Sequence, residues 1–160
     1  MRLPDTPTRM PLLPIASFLL AATACDHAPD RVMPPPPEID AATFDAWAWE
    51  KRPVVVAGEP DAVAAQVDLL EAEAAGLAER AMIVVPVTGE DAAPASIKER
   101  FGIDPAARLT VLLVGKDTGV KRREVDPPEP VTPASLFAEV DRMPMRQREA
   151  REARGAPPAP

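Results

Sequence analysis

LTVLLVGKDTGVKRREV, residues 109–125, carries the strongest strand pattern in this chain of 160 residues. It opens with an apolar, β-branched run that closes on a glycine, which is typical of a strand. KDTG, residues 116–119, has the composition of a turn, and a more polar run at 120–125 follows it. The stretch therefore predicts a strand over 109–115 that continues into a β-hairpin.

Two further apolar runs precede the hairpin and alternate with helical patterns. RPVVVAG predicts a buried strand at 54–57, and MIVVPV predicts a second strand at 82–87. Between them, residues 61–80 carry apolar side chains at steps of three and four, the period of one helix face. SIKE, residues 96–99, has the spacing of a capping box and predicts that a short helix begins at Ser96.

A last helix is predicted after the hairpin. Thr132 followed by Pro133 is typical of a helix start, and the apolar residues behind them share one helix face. The order β-α-β-α-β-β-α predicts a single α/β domain with a central mixed sheet, because strands joined through helices run parallel and the hairpin adds antiparallel pairing. This order resembles the thioredoxin-like fold, which by itself establishes no activity.

Three segments together resemble the family called domain of unknown function 4174. They are WEKRPVVVAG, LTVLLVGKDTGVK and DRMPMRQREA, and the resemblance spans residues 47–150. That family is thioredoxin-like, and related domains occur in extracellular matrix proteins with sushi repeats. No reaction is established for it, so the resemblance implies a fold and an interaction role.

Thiol redox chemistry is not expected. The stretch where redox thioredoxins carry a dithiol is GEPDA here, residues 58–62, and the only cysteine of the chain is Cys25. Leu109 stands where redox members of the fold have a proline. Dithiol exchange needs one thiolate to attack and a second thiol to resolve the mixed disulfide. Glu59 and Asp61 are interpreted as acids at a helix start, with an acid–base pair of a non-redox enzyme as the alternative.

The beginning of the chain predicts export. Residues 1–24 combine a positive start, an apolar run and the small residues Ala-Thr-Ala at 22–24, as in a signal peptide. Cys25 follows directly and resembles the acylated cysteine of a bacterial lipobox, and Asp26 resembles an inner-membrane retention signal. Ala22 stands where that family favours leucine, and Ala-x-Ala also suits ordinary signal peptidase. We expect a lipoprotein on the periplasmic side of the inner membrane, or alternatively a soluble periplasmic or secreted protein.

The positions of the prolines indicate the limits of the predicted domain. The 22 prolines concentrate toward both ends, and residues 25–46 include four in succession, which predicts an extended tether. His27, the only histidine, lies in this tether, so no metal site is expected. The thioredoxin-like domain is predicted at 47–145, and a charged, Pro-rich tail at 146–160.

Charge and aromatic residues indicate the kinds of partner. A net charge of -7 argues against nucleic acid. The basic cluster near the end of the chain is interpreted as a solvated helical extension, or as a contact for anionic lipid headgroups. Trp47 and Trp49 would share one face of an extended chain, either packed on the sheet or exposed for a partner. The basic cluster consists of Arg146, Arg148, Arg151 and Arg154.

The sequence thus predicts a binding or interaction module of the cell envelope, tethered to the membrane through a lipid on Cys25. Its partner is an unidentified envelope protein or ligand, and no cofactor is expected. The alternatives are a non-redox enzyme and a structural envelope protein that self-associates. The candidate binding residues are Glu59, Asp61, Trp47, Trp49, Arg146 and Arg148.

Overall fold

The computed structural model describes residues 38–155, in which six helices surround four strands. The predicted leader, Cys25 and His27 lie outside the described residues. Within 38–155, no helix has the length and apolar content needed to cross a bilayer. The elements are α1 (Thr43–Ala46), β1 (Arg52–Gly58), α2 (Pro60–Glu71), α3 (Ala74–Glu79), β2 (Met82–Val87), α4 (Ala92–Phe101), β3 (Leu109–Val114), β4 (Val120–Val125), α5 (Pro133–Asp141) and α6 (Pro144–Ala153).

The strands form one mixed sheet in the order β2-β1-β3-β4. β1 runs parallel to β2, and β3 is antiparallel to both β1 and β4. The apolar runs at β1 and β3 occupy the two inner positions, while the polar β4 and the proline-containing β2 lie at the edges. The predicted hairpin and the α/β class with a mixed sheet are confirmed, and the strand order is consistent with a thioredoxin-like arrangement.

Alternate residues of the inner strands supply two apolar layers. Val54 and Leu113 belong to the layer under α2, α3 and α5, and Val55 and Leu112 belong to the layer under α1 and α4. All four side chains are buried because the sheet has helices on both faces. This burial explains why the runs 53–57 and 111–114 are apolar throughout rather than alternating.

A buried glutamine fastens the loop before α5 to α2. Gln66 lies on the apolar face of α2 and is 2% exposed. Its side-chain amide donates to the carbonyl oxygen of Val131 at 2.8 Å and accepts from the N–H of Val131 at 2.9 Å. The residue after it, Thr132, caps α5 as predicted, since its hydroxyl oxygen accepts from the N–H of Ser135 at 3.3 Å.

Two helices differ from the prediction. The helical pattern at 61–80 is divided into α2 and α3, and α3 lies against α5. Gly76 permits this approach, because a Cβ atom there would clash with the ring of Phe137. α4 begins at Ala92, four residues before the predicted box. Ser96 lies inside α4, where its hydroxyl donates to the carbonyl oxygen of Ala93 at 2.8 Å.

The folded unit extends beyond 47–145 at both ends. Phe44 of α1, in the predicted tether, is 1% exposed and contacts the ring of Phe101 at a centroid distance of 4.9 Å. Residues 146–153 of the predicted tail belong to α6, where Arg146 is buried. The contacts that order both segments join residues distant in sequence, and no local pattern indicates them.

Candidate functional site

The three segments that carry the family resemblance meet at one end of the sheet. β1 starts at Arg52 and β3 ends at Val114, and these ends are neighbours because the two strands are antiparallel. The hairpin turn and the start of α6 lie beside them and enclose a cavity of about 350 Å³. We call it the Met–Lys cavity. Its lining residues are Arg52, Gly115, Lys116, Asp117, Lys121, Met143, Pro144 and Met145.

The body of the Met–Lys cavity is apolar. Met143 and Met145 contribute thioethers, which are polarisable and adapt to differently shaped partners. The aliphatic stem of Lys121 lies across Gly115, where a Cβ atom would clash with it. The cavity therefore has apolar walls with ammonium groups at the ends of their stems.

A charged cluster forms the wall beside α6. Arg52 is 1% exposed, and its guanidinium donates to both carboxylate oxygens of Glu149, at 3.0 and 3.1 Å. Lys116 donates to the same carboxylate at 2.8 Å. Burial would raise the pKa of Glu149, but the hydrogen bonds from Arg52 and Lys116 outweigh it and lower that pKa. Glu149 thus stays ionised and ties α6 to β1 and the hairpin.

The second ion pair of the cavity lies within the hairpin. Lys121 Nζ donates to Asp117 at 2.6 Å, and this hydrogen bond is the main reason why the pKa of Asp117 is lowered. The lining includes the cations of Arg52, Lys116 and Lys121 and the anion of Asp117. Glu149 lies behind the lining as the partner of Arg52 and Lys116, so the group carries one net positive charge. The arrangement suits a ligand with an apolar body and one anionic group. Within residues 38–155, no three His, Cys, Asp or Glu side chains cluster as metal ligands would.

The predicted acid pair lies at the opposite end of the sheet, six residues or about 20 Å along β1. Glu59 precedes α2, is exposed, and lies 3.6 Å from the Nε of the exposed Arg108. Asp61 is exposed in the first turn of α2. A cavity of about 280 Å³ is lined by Glu59 but not by Asp61. The structure therefore does not bring the two carboxylates into a shared cavity.

The two tryptophans do not share a face, because residues 43–50 form a helix and turns rather than an extended chain. Trp47 is half-buried and packs edge-on against Phe44, with ring centroids 5.6 Å apart. Trp49 is 66% exposed at a positive φ of 67°. Its backbone N–H donates to the carbonyl oxygen of Lys116, which places it next to the hairpin turn.

The basic cluster is only partly solvated. Arg146 is 8% exposed and forms ion pairs with Glu79 and Asp141. The interpretation of Arg146 as a solvated residue is therefore wrong, since α6 folds back against α3 and α5. Arg148 is exposed on α6 and has no ion pair with any residue of 38–155.

Sequence reasoning missed the residues that build the Met–Lys cavity. No motif singles out Arg52, Lys116 or Glu149, because they are far apart in sequence and each is unremarkable in its own segment. The available signal was the resemblance itself. All three segments that carry it contribute to the cavity, and the antiparallel pairing of β1 with β3, which the sequence does not predict, brings them to one end of the sheet.

Comparison with known proteins identifies a family. The family model described as domain of unknown function (DUF4174) matches residues 43–149, from the first residue of α1 to Glu149 in α6. No curated protein and no solved structure matches the chain. The family model includes every lining residue of the Met–Lys cavity and spans well over half of the sequence. The chain therefore belongs to the DUF4174 family.

Proposed function

We propose that this protein is a non-redox binding module of the cell envelope whose ligand occupies the Met–Lys cavity. In this proposal it is exported and held at the periplasmic side of the inner membrane through a lipid on Cys25. The observation that carries the binding role is the convergence of the three family segments on one cavity. Its ligand combines an apolar body with one anionic group, and it is a small molecule or a side chain of an envelope protein.

Two features of the wall support this ligand chemistry. The thioethers and lysine stems offer contacts to an apolar body without fixing its shape. The side chain of Lys121 is 34% exposed, so its ammonium can leave Asp117 and meet an incoming anion at low cost. Lys116 is more buried and bound to Glu149, so its role is to hold the wall.

The fluorescent probe 1-anilinonaphthalene-8-sulfonate, an aromatic anion, tests the cavity directly. We expect the full chain to bind it with a rise in fluorescence. Lys121→Met keeps the stem and removes the charge, and Met145→Gln makes the wall polar. Each should weaken binding by about tenfold, or about 1.4 kcal/mol.

Matched controls lie elsewhere on the domain. Lys98→Met removes an ammonium that pairs with Glu90, and Leu69→Gln changes an exposed apolar residue of α2. Both variants should bind the probe as the unmodified chain does. If Lys121→Met and Met145→Gln bind the probe as tightly as the unmodified chain and are equally stable, the probe binds elsewhere and the proposed site is contradicted.

Lipid attachment is tested in cells by metabolic labelling with a palmitate analogue. We expect label on the unmodified protein and none on Cys25→Ser, which should move from the membrane to the soluble fraction. Thr23→Ser keeps the small-residue pattern before the cysteine and serves as the control. An unlabelled, soluble wild-type protein would favour simple secretion instead.

A further inference from the structure

A second cavity lies on the other side of α6, between that helix and the helices α3 and α5. Its volume is about 420 Å³. We call it the arginine cleft, because four of its lining residues are arginines in a chain whose net charge is -7. The lining residues are Glu79, Arg80, Asp141, Arg146, Gln147, Ala150, Arg151 and Arg154.

Two of the arginines are held by the carboxylates of the cleft. Arg80 donates through two nitrogens to the two oxygens of Asp141, at 2.7 and 3.0 Å. Arg146 pairs with Glu79 and with Asp141. The hydrogen bond from Arg80 is the largest cause that lowers the pKa of Asp141, so this network stays charged at neutral pH. These ion pairs hold the guanidinium groups of Arg80 and Arg146 in place, and they occupy the carboxylates of Glu79 and Asp141.

The other two arginines have no such partner. Neither Arg151 nor Arg154 forms an ion pair or a side-chain hydrogen bond with any residue of 38–155. The Nε of Arg151 is shielded from water and donates to no acceptor of the described residues. The terminal nitrogens of Arg151 also have no hydrogen-bond partner among residues 38–155, so an anion in the cleft would meet guanidinium N–H groups that no carboxylate occupies.

The lining of the arginine cleft is positively charged and leaves space for an anion. Four guanidinium groups against two carboxylates leave two net positive charges. Ala150 has a small side chain beside Arg151, and Gln147, one turn earlier on α6, adds an amide. Planar guanidinium groups bind tetrahedral oxyanions through paired N–H groups, which a lysine cannot reproduce.

We propose that the arginine cleft binds a phosphate group, with Arg151 and Arg154 as its direct ligands. Arg80 and Arg146 are held at the sides of the cleft by their carboxylate partners and are not direct ligands. The site is separate from the Met–Lys cavity and does not depend on it, since the two lie on different faces of α6. The phosphate belongs either to a lipid headgroup or to a soluble molecule, and the chemistry of recognition is the same.

The first arm of the test titrates the full chain carrying Cys25→Ser with inorganic phosphate, at constant ionic strength set with chloride. Amide signals of 147–154 should shift and saturate. Arg151→Gln should weaken the affinity for phosphate by about tenfold or more. Arg151→Lys should weaken it nearly as much, because lysine lacks the planar guanidinium group. Arg154→Gln, at the end of α6, is a second variant that should also weaken phosphate binding. Arg148→Gln, on the same helix outside the cleft, is the matched control.

The second arm measures cosedimentation of the same chain with vesicles of phosphatidylglycerol in phosphatidylcholine, against phosphatidylcholine alone. Binding to the anionic vesicles that requires Arg151 assigns the phosphate to a headgroup. Arg151-dependent binding of free phosphate without vesicle binding assigns it to a soluble molecule. The proposal is overturned if neither arm shows Arg151-dependent binding, or if Arg148→Gln weakens binding as much as Arg151→Gln.

Discussion

Replacement of Glu149 by glutamine should lower the free energy of unfolding at neutral pH by about 2–3 kcal/mol. The carboxylate lies between Arg52 and Lys116 and contacts both. Glutamine keeps one acceptor oxygen but turns an NH2 group toward donors of Arg52 and Lys116, and the buried guanidinium of Arg52 loses its counter-charge. Two like charges then face each other without an anion. The expected loss is below that of a fully buried pair, because Glu149 is 28% exposed and water can approach.

The same substitution should make the free energy of unfolding depend less on pH in the acidic range. The folded-state pKa of Glu149 is lowered relative to its unfolded value, which is about 4.3. Its contribution is therefore fully present above that unfolded pKa and is lost as the pH falls through the folded pKa. The difference between the two proteins should be largest near neutral pH and should narrow below about pH 4. Urea unfolding between pH 3 and 7 measures both effects.

Two further variants separate the ion pair from a general effect on α6. Glu152→Gln changes an exposed acid on the same helix and should alter stability by less than about 0.5 kcal/mol. The double variant Arg52→Met with Glu149→Met should be more stable than Glu149→Gln alone, since it leaves only Lys116 without its anion, whereas Glu149→Gln leaves both Arg52 and Lys116 without one. If Glu149→Gln unfolds like the unmodified chain, the carboxylate does not hold α6 against the sheet.

The sheet could be predicted because its signals are local. The runs that became β1, β2 and β3 are short, apolar and bounded by turn residues, so each segment carries its own evidence. The two ends of the domain could not be predicted in the same way. α6 is strongly polar and is held by ion pairs such as Arg52 with Glu149, which are 97 residues apart. An ion pair leaves no periodic pattern in either partner.

The Met–Lys cavity could not be predicted from the sequence for a related reason. Comparison with redox thioredoxins directs attention to the start of α2, where Glu59 and Asp61 are exposed and share no cavity. The Met–Lys cavity lies where β1 begins, and its walls come from three separated segments. Such a site becomes visible only once strand pairing is known, because antiparallel pairing of β1 with β3 brings the segments together.

Gln66→Leu is the other substitution for which we expect a large effect, about 3 kcal/mol of lost stability. Hydropathy alone would predict a neutral or stabilising change, since the neighbours of Gln66 on α2, Val63 and Leu70, belong to the apolar core. The glutamine, however, satisfies both the N–H and the carbonyl group of Val131, which is 5% exposed. Leucine would leave both backbone groups buried without partners, at about 1–3 kcal/mol each.

Gln66→Glu separates the two hydrogen bonds. An ionised glutamate still accepts from the N–H of Val131 but turns an acceptor toward its carbonyl oxygen, so it should destabilise at neutral pH. Burial raises the pKa of such a carboxyl group, so this cost should fall as the pH is lowered and the protonated acid donates to the carbonyl. Gln147→Leu, a glutamine exposed on α6, is the control and should change the unfolding midpoint little. A small effect of Gln66→Leu would contradict the proposed role, because it would mean that water can replace the amide and that the loop before α5 is not fastened by Gln66.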